Sequence, residues 1–241
     1  MITQETFQDD LSEIFEAARQ RSVNRFYLSL SHVVDLAELQ AFIQRNVDGP
    51  FLTVARVNII PKSLHSVTNL SAYTNYLDAR GDQHEFLTMY SKLYAYLQAL
   101  ETKYTYKVLG NLLHVLLDLD PNGELFDDLH SGHQCYDAIK RLNEQVLARG
   151  IEFSLFGHMD TIMNRRLRNA IAHNDIYLYS AARTMQIPSY TVLKLTHPNE
   201  ADEIQDFYDF DDLHDRYESA MNFTEAFKAI VSQHIDLGSR Y

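Results

Sequence analysis

The chain has 241 residues, 46% of them hydrophobic, which is enough to bury one large core. Its 33 acidic and 21 basic residues give a net charge of −12, which argues against broad, non-specific coating of nucleic acid, because that binding needs many cations to neutralise phosphates. The single Cys135 excludes an internal disulfide, and the polar, acidic N-terminus has no signal-peptide pattern, so we expect a cytoplasmic protein.

The N-terminal part of the chain predicts a helix followed by a strand. Apolar residues recur at helical spacing through residues 4–20, which predicts an amphipathic helix. Phe26, Leu28 and Leu30 then alternate in a β-favouring run, which predicts a strand.

A second strand and a connector follow. A capping-box signal predicts a helix at 35–47, and a β-favouring run predicts a strand at 51–60. Residues 62–81 are polar and predict a connector. We therefore expect a mixed α/β N-terminal extension at 1–80 and a separate helical domain at 81–241.

The helical domain begins with a long amphipathic pattern. Apolar spacing predicts a helix at 86–116 that either continues or restarts along its length, and another at 135–150. A final helix is predicted at 213–230. The longest apolar run, Leu112 to Leu119, is too short to cross a bilayer, so no membrane partner is expected.

A small hairpin is predicted before the last helix. Two β-favouring runs, 176–180 and 189–196, are separated by Pro188. The acidic stretch 200–215 predicts a solvated loop and helix start, and an acidic segment of this kind could also shield a cationic groove. The predicted fold class is therefore mainly α: an up-and-down helical bundle with a β-hairpin and the α/β extension.

The most chemically specific stretch is Asn164 to Asp175, which predicts a short helix with Asp160 as its N-terminal cap. At about 100° per residue its two sides differ in character. The apolar side carries Met163, Leu167, Ala170 and Ile171, and the opposite side carries Arg165, Arg168, Asn169, Ala172 and His173. No acid lies between Asp160 and Asp175, so we expect the positive charge to be locally unpaired and available to an anion.

The sequence Arg168-Asn169-Ala170-Ile171-Ala172-His173 resembles the R-x4-6-H signature of the HEPN superfamily, in the form that has a polar residue directly after the arginine. The resemblance extends over about residues 82–241, a helix-rich region with a hairpin and a final helix after the motif. Its specific part is the six-residue core. HEPN toxins that partner a nucleotidyltransferase antitoxin carry a Tyr two residues after the His, where this chain has Asp175.

The resemblance implies a metal-independent endoribonuclease, often a toxin or anti-phage defence effector, whose site is formed across a homodimer. His173 would act as general acid or base, because histidine titrates near neutral pH. Arg168 would bind and stabilise the scissile phosphate, and Asn169 would orient the histidine or the phosphate. Arg165 and Arg166 would steer RNA, whose 2′-hydroxyl supplies the nucleophile, so no cofactor or metal is required.

Two alternatives stay open. The first is a catalytically inactive HEPN module that binds a nucleotide, nucleic acid or a protein partner such as an antitoxin. The second is a metal-dependent hydrolase that uses His130, His133 and neighbouring acids, although their spacing matches no structural zinc pattern.

The small Ala172 on the polar face would let the same helix of a second copy approach closely.

Overall fold

A computed structural model describes residues 1–31, 85–172, 176–179, 184–187 and 206–238, and in these residues the protein is mainly helical. The helices are α1 (Gln4–Arg21), α2 (Val23–Ser31), α3 (Glu85–Glu101), α4 (Lys103–Leu116), α5 (Gly132–Leu147), α6 (Leu155–Ile162), α7 (Arg165–Ala172) and α8 (Phe210–Gly238). The strands are β1 (Tyr177–Tyr179), β2 (Thr184–Ile187) and β3 (Asp206–Asp209).

Helix α1 confirms the amphipathic pattern predicted at 4–20. The Thr3 hydroxyl accepts a hydrogen bond from the backbone N–H of Thr6 at 3.2 Å and so caps the helix. The apolar residues Phe7, Leu11, Ile14, Phe15 and Ala18 are buried. They pack mainly against α8 and also against α4, so α1 is part of the helical core.

The strand predicted from Phe26, Leu28 and Leu30 is wrong, because these residues lie in helix α2. In a strand, Phe26, Leu28 and Leu30 would all lie on one face, because every second residue shares a face. In a helix only Phe26 and Leu30, four residues apart, share a face, so the exposure of Leu28 distinguishes the two patterns. Phe26 and Leu30 are 0% and 4% exposed, whereas Leu28 is 44% exposed. The burial therefore follows the helical period.

The long pattern predicted at 86–116 restarts at Thr102, which separates α3 from α4. The Thr102 hydroxyl donates to the carbonyl of Gln98 at 2.9 Å and so satisfies the end of α3. Two tyrosines of these helices are core residues: the hydroxyl of Tyr96 donates to the Ile162 carbonyl at 2.5 Å, and that of Tyr106 to the Leu100 carbonyl at 2.8 Å.

Helix α5 confirms the pattern predicted at 135–150. A capping box at Ser131 and Gln134 starts the helix. The buried Asn111 side chain of α4 donates to the carbonyl of Asn122, in the loop before α5, at 3.1 Å and accepts from the Asn122 N–H at 2.8 Å. This pair of hydrogen bonds holds the loop at Asn122, where the turn that follows begins.

Asp118 lies just after the C-terminal end of α4 and accepts hydrogen bonds from arginines of the first two helices. The Arg21 guanidinium donates to the Asp118 carboxylate at 2.8 and 2.5 Å, and Arg149 donates to the same carboxylate at 3.0 Å. Arg25 donates to the Asp118 carbonyl at 3.1 Å. The hydrogen bond from Arg21 is the largest cause that lowers the pKa of Asp118, so the carboxylate stays charged into acid.

The strands form one antiparallel sheet in the order β1, β2, β3. The strand predicted at 176–180 is present as β1, but its partner is β2, which precedes Pro188. Strand β3 replaces part of the loop predicted at 200–215, and it leads directly into α8. The predicted final helix is confirmed and is longer than expected, and it packs against α1 and α3.

Several predictions fall on residues that the structure does not describe: the helix at 35–47, the strand at 51–60, the connector at 62–81 with its boundary after residue 80, and the strand at 189–196. The first predicted strand of the α/β extension is wrong, as described above. The rest of the mixed α/β extension stays a prediction. Among the described helices, none is both long and apolar enough to cross a membrane.

Replacing Leu30 with Ala tests the helical assignment of α2. We expect this variant to lose about 2–5 kcal/mol of unfolding free energy, because a buried leucine leaves a cavity. The matched Leu28→Ala variant should change it by less than about 0.5 kcal/mol, since Leu28 is on the exposed side. Chemical denaturation of both variants measures the difference, and equal losses would contradict the helix.

Candidate functional site

Helix α7 carries the arginine motif, and Asn164 starts it. The Asn164 side-chain oxygen accepts from the Leu167 N–H at 2.9 Å, and its amide donates to the Tyr208 hydroxyl at 3.0 Å. The cap predicted at Asp160 is therefore wrong. Asp160 lies inside α6, where it accepts from Tyr136 and from Lys140, both at 2.8 Å.

The two sides of α7 are as predicted for residues 165–172. Leu167, Ala170 and Ile171 are buried. On the opposite side, Arg165, Asn169 and Ala172 are exposed and Arg168 is half-buried. Helix α7 packs against α3, so the apolar side anchors the motif to the first half of the helical pattern predicted at 86–116.

Glu101, the last residue of α3, joins three helices at this point. One of its carboxylate oxygens accepts from the N–H of Gly132, the first residue of α5, at 2.9 Å. The other accepts from Nε of Arg168 on α7. A Cβ atom at Gly132 would lie 1.9 Å from the Leu100 carbonyl oxygen, so only glycine allows α5 to begin this close to α3.

The positive charge of Arg168 is therefore compensated from outside its own helix. We expected the charge of Arg168 to be free for an anion. This is wrong for its Nε, which donates to Glu101, a residue 67 positions earlier in the chain on α3. Arg168 also donates from Nη1 to the Asn169 side-chain oxygen at 2.8 Å. The side chains of Arg168 and Glu101 are only 16% and 24% exposed, so water screens this ion pair less than it would at an open surface.

The remaining motif residues are placed as follows. Arg165 is exposed, and Arg166 is half-buried and engaged in an interaction. Asn169 contacts Arg168, so the structure brings together these two of the predicted catalytic residues. His173 lies outside the described residues, which end at Ala172 and resume at Ile176.

His133, in the first turn of α5, adjoins the same cluster. Burial is the largest cause that lowers its pKa; Arg165 and Arg168 lower it further, while Asp137 and Glu101 raise it. Its Nε2 is 3.2 Å from the Asp137 carboxylate, although neither ring nitrogen has a hydrogen-bond partner of good geometry. The imidazole therefore favours the neutral form at neutral pH.

The loop before α5 and the first turn of that helix do not assemble a metal centre in the described residues. His133 faces Asp137, and the His130 backbone N–H donates to the Gln134 side chain at 2.7 Å. Cys135 is buried, and burial raises the pKa of its thiol. Within the described part of the chain, no group of three or more His, Cys, Asp or Glu side chains is arranged to hold a metal ion.

Sequence reasoning missed Glu101, and His133 entered only as a possible metal ligand. Nothing in the local pattern around Glu101 indicates an arginine partner, because its partners come from α5 and α7. Asn164 could have been found, since Asn is among the preferred N-cap residues and directly precedes the arginines.

Comparison of the chain with models of protein families, with curated proteins and with solved structures gave no match. The functional assignment therefore depends on the motif and on the surroundings of α7.

Replacing Asn164 with Ala removes the cap of α7 and its link to Tyr208. We expect a loss of about 0.5–2 kcal/mol of unfolding free energy, the usual range for a lost N-cap. Asn164→Asp is the matched control, because a carboxylate keeps the acceptor and suits a helix N-terminus. Thermal and urea unfolding compare the variants, and equal losses in both would show that the cap is not what Asn164 contributes.

Proposed function

We propose that the protein is a metal-independent RNA endonuclease of the HEPN type. The observation that carries the proposal is the sequence motif of Arg168, Asn169 and His173, together with a short helix that holds Arg168 and Asn169 and whose opposite side is buried. The exposed side bears arginines and no acid of its own. A HEPN-like helical bundle is part of the same proposal, supported by the mainly helical fold.

The residue types suit RNA cleavage by internal transfer. His173 takes the proton from the 2′-hydroxyl or gives one to the leaving 5′-oxygen, since an imidazole exchanges protons near neutral pH. Arg168 stabilises the additional negative charge on the phosphate in the transition state. Asn169 orients Arg168, to which it is hydrogen-bonded, and Arg165 with Arg166 attracts the RNA strand.

The net charge and the position of Ala172 support further parts of the proposal. An acidic body with a small cationic face favours a confined single-stranded or tRNA-like substrate over general nucleic-acid binding. The exposed Ala172 lets the α7 helices of two copies approach, which is consistent with a homodimer. We propose action in the cytoplasm as a toxin or anti-phage defence effector, controlled by a protein such as an antitoxin.

A second candidate function is a catalytically inactive HEPN module that binds nucleotide, nucleic acid or a protein partner. The specific observation in its favour is the ion pair between Arg168 and Glu101. An arginine whose charge is already compensated by a carboxylate can serve the packing of α3 against α7 without any phosphate.

Cleavage of a mixed set of tRNA and single-stranded RNA in EDTA separates the two candidates. The wild-type protein should cut RNA without metal. His173→Ala should lower the rate by at least about 10²-fold, the usual contribution of a general acid or base, while RNA binding is kept.

His130→Ala is the matched control, because His130 is an exposed histidine of the loop before α5. It should cut RNA like the wild type. Binding without cutting by the wild type would favour the inactive module. Activity that disappears in EDTA but survives His173→Ala would instead support the metal-dependent alternative.

A further inference from the structure

The hydrogen bonds of Arg168 use only part of its donor capacity. A guanidinium has five N–H donors: one on Nε and two on each Nη. The Nε donor binds Glu101, and one Nη1 donor binds Asn169. One Nη1 donor and both Nη2 donors have no acceptor among the described residues. Arg168 is therefore held at Nε and at Nη1, and three of its five N–H donors are left over.

Glu101 is itself fixed from the other side. Its second carboxylate oxygen accepts from the Gly132 N–H at 2.9 Å, and the capping box at Ser131 and Gln134 fixes the backbone there. The approach of α5 to α3 that permits this bond requires glycine at 132. The carboxylate thus has a fixed partner on each oxygen, and one of these partners is the Nε of Arg168.

We infer that Glu101 is a positioning residue for phosphate binding: it holds the Nε edge of Arg168 so that the Nη donors face an RNA phosphate on the exposed side of α7. The inference deepens the proposed function and depends on its assignment of Arg168 to the scissile phosphate. Glu101 acts through Arg168 and need not touch the RNA.

A guanidinium that is already fixed loses less entropy when it binds a phosphate. This gain opposes the repulsion between the Glu101 carboxylate and the phosphate. A free arginine side chain samples many rotamers, and a phosphate that binds it must overcome the loss of that entropy. In this protein the contacts with Glu101 and Asn169 already restrict the rotamers of Arg168 in the folded state. The carboxylate also weakens the attraction of Arg168 for phosphate, so the geometric and the electrostatic effects of Glu101 predict opposite results when it is removed.

The test is a double-mutant cycle that does not depend on turnover. The probe is a short fluorescent single-stranded 2′-O-methyl oligonucleotide, which binds but lacks the 2′-hydroxyl nucleophile, and fluorescence anisotropy gives its Kd. The variants are Glu101→Ala, Arg168→Ala and the double variant. Glu101→Gln keeps an acceptor for Arg168, and Glu152→Gln removes one negative charge at an exposed site elsewhere.

If Glu101 positions Arg168, Glu101→Ala and Arg168→Ala should each weaken binding by about tenfold, the scale of one hydrogen bond to a charged group. The double variant should be no weaker than either single variant, because both remove the same interaction. Glu101→Gln should recover part of the affinity. Thermal unfolding of each variant shows that the compared proteins are folded.

Three results would overturn the inference: tighter binding by both Glu101 variants, fully additive losses in the double variant, or a loss in Glu101→Gln equal to that in Glu101→Ala. Binding by the wild type without RNA cleavage in the parallel assay would contradict only the ribonuclease assignment. The cycle would still decide the role of Glu101. No oligonucleotide binding by the wild type would contradict both.

Discussion

The ion pair between Glu101 and Arg168 is the interaction that ties the motif helix to the rest of the fold. Both side chains are largely covered, and a covered charge must be paired, because its desolvation cost is otherwise not recovered. Glu101 meets this requirement for Arg168 while it also accepts the first N–H of α5. The end of α3, the start of α5 and the middle of α7 are therefore fixed relative to one another by one carboxylate.

This arrangement explains how a protein with a net charge of −12 can present a small cationic face. The buried side of α7 determines where the helix lies, and the opposite side leaves Arg165 and part of Arg168 toward solvent. Long-range repulsion between the acidic body and RNA is screened beyond about 8 Å at physiological salt. Close, directional contacts from the positioned Arg168 would then decide which anion binds.

The sequence predicted what depends on local periodicity and missed what depends on distant partners. The burial of Leu167, Ala170 and Ile171 follows from helical spacing alone, and so does α1. The strand prediction at 26–30 was wrong because the spacing of its apolar residues fits both a strand and a helix. Only the exposure of Leu28 in the structure distinguishes the two. The partner of Arg168 could not be predicted, since it is 67 residues away and reaches α7 through the packing of α3.

The most direct test of this account is ¹⁵N NMR of the arginine side chains, with Glu101→Ala used to assign Arg168. The account predicts an Arg168 Nε–H signal that exchanges slowly with water and is lost in the variant. On addition of the 2′-O-methyl oligonucleotide this signal should persist while the Nη signals of Arg168 shift. Release of the Nε–H when the oligonucleotide binds would contradict the account, because Glu101 would then compete with phosphate for Arg168.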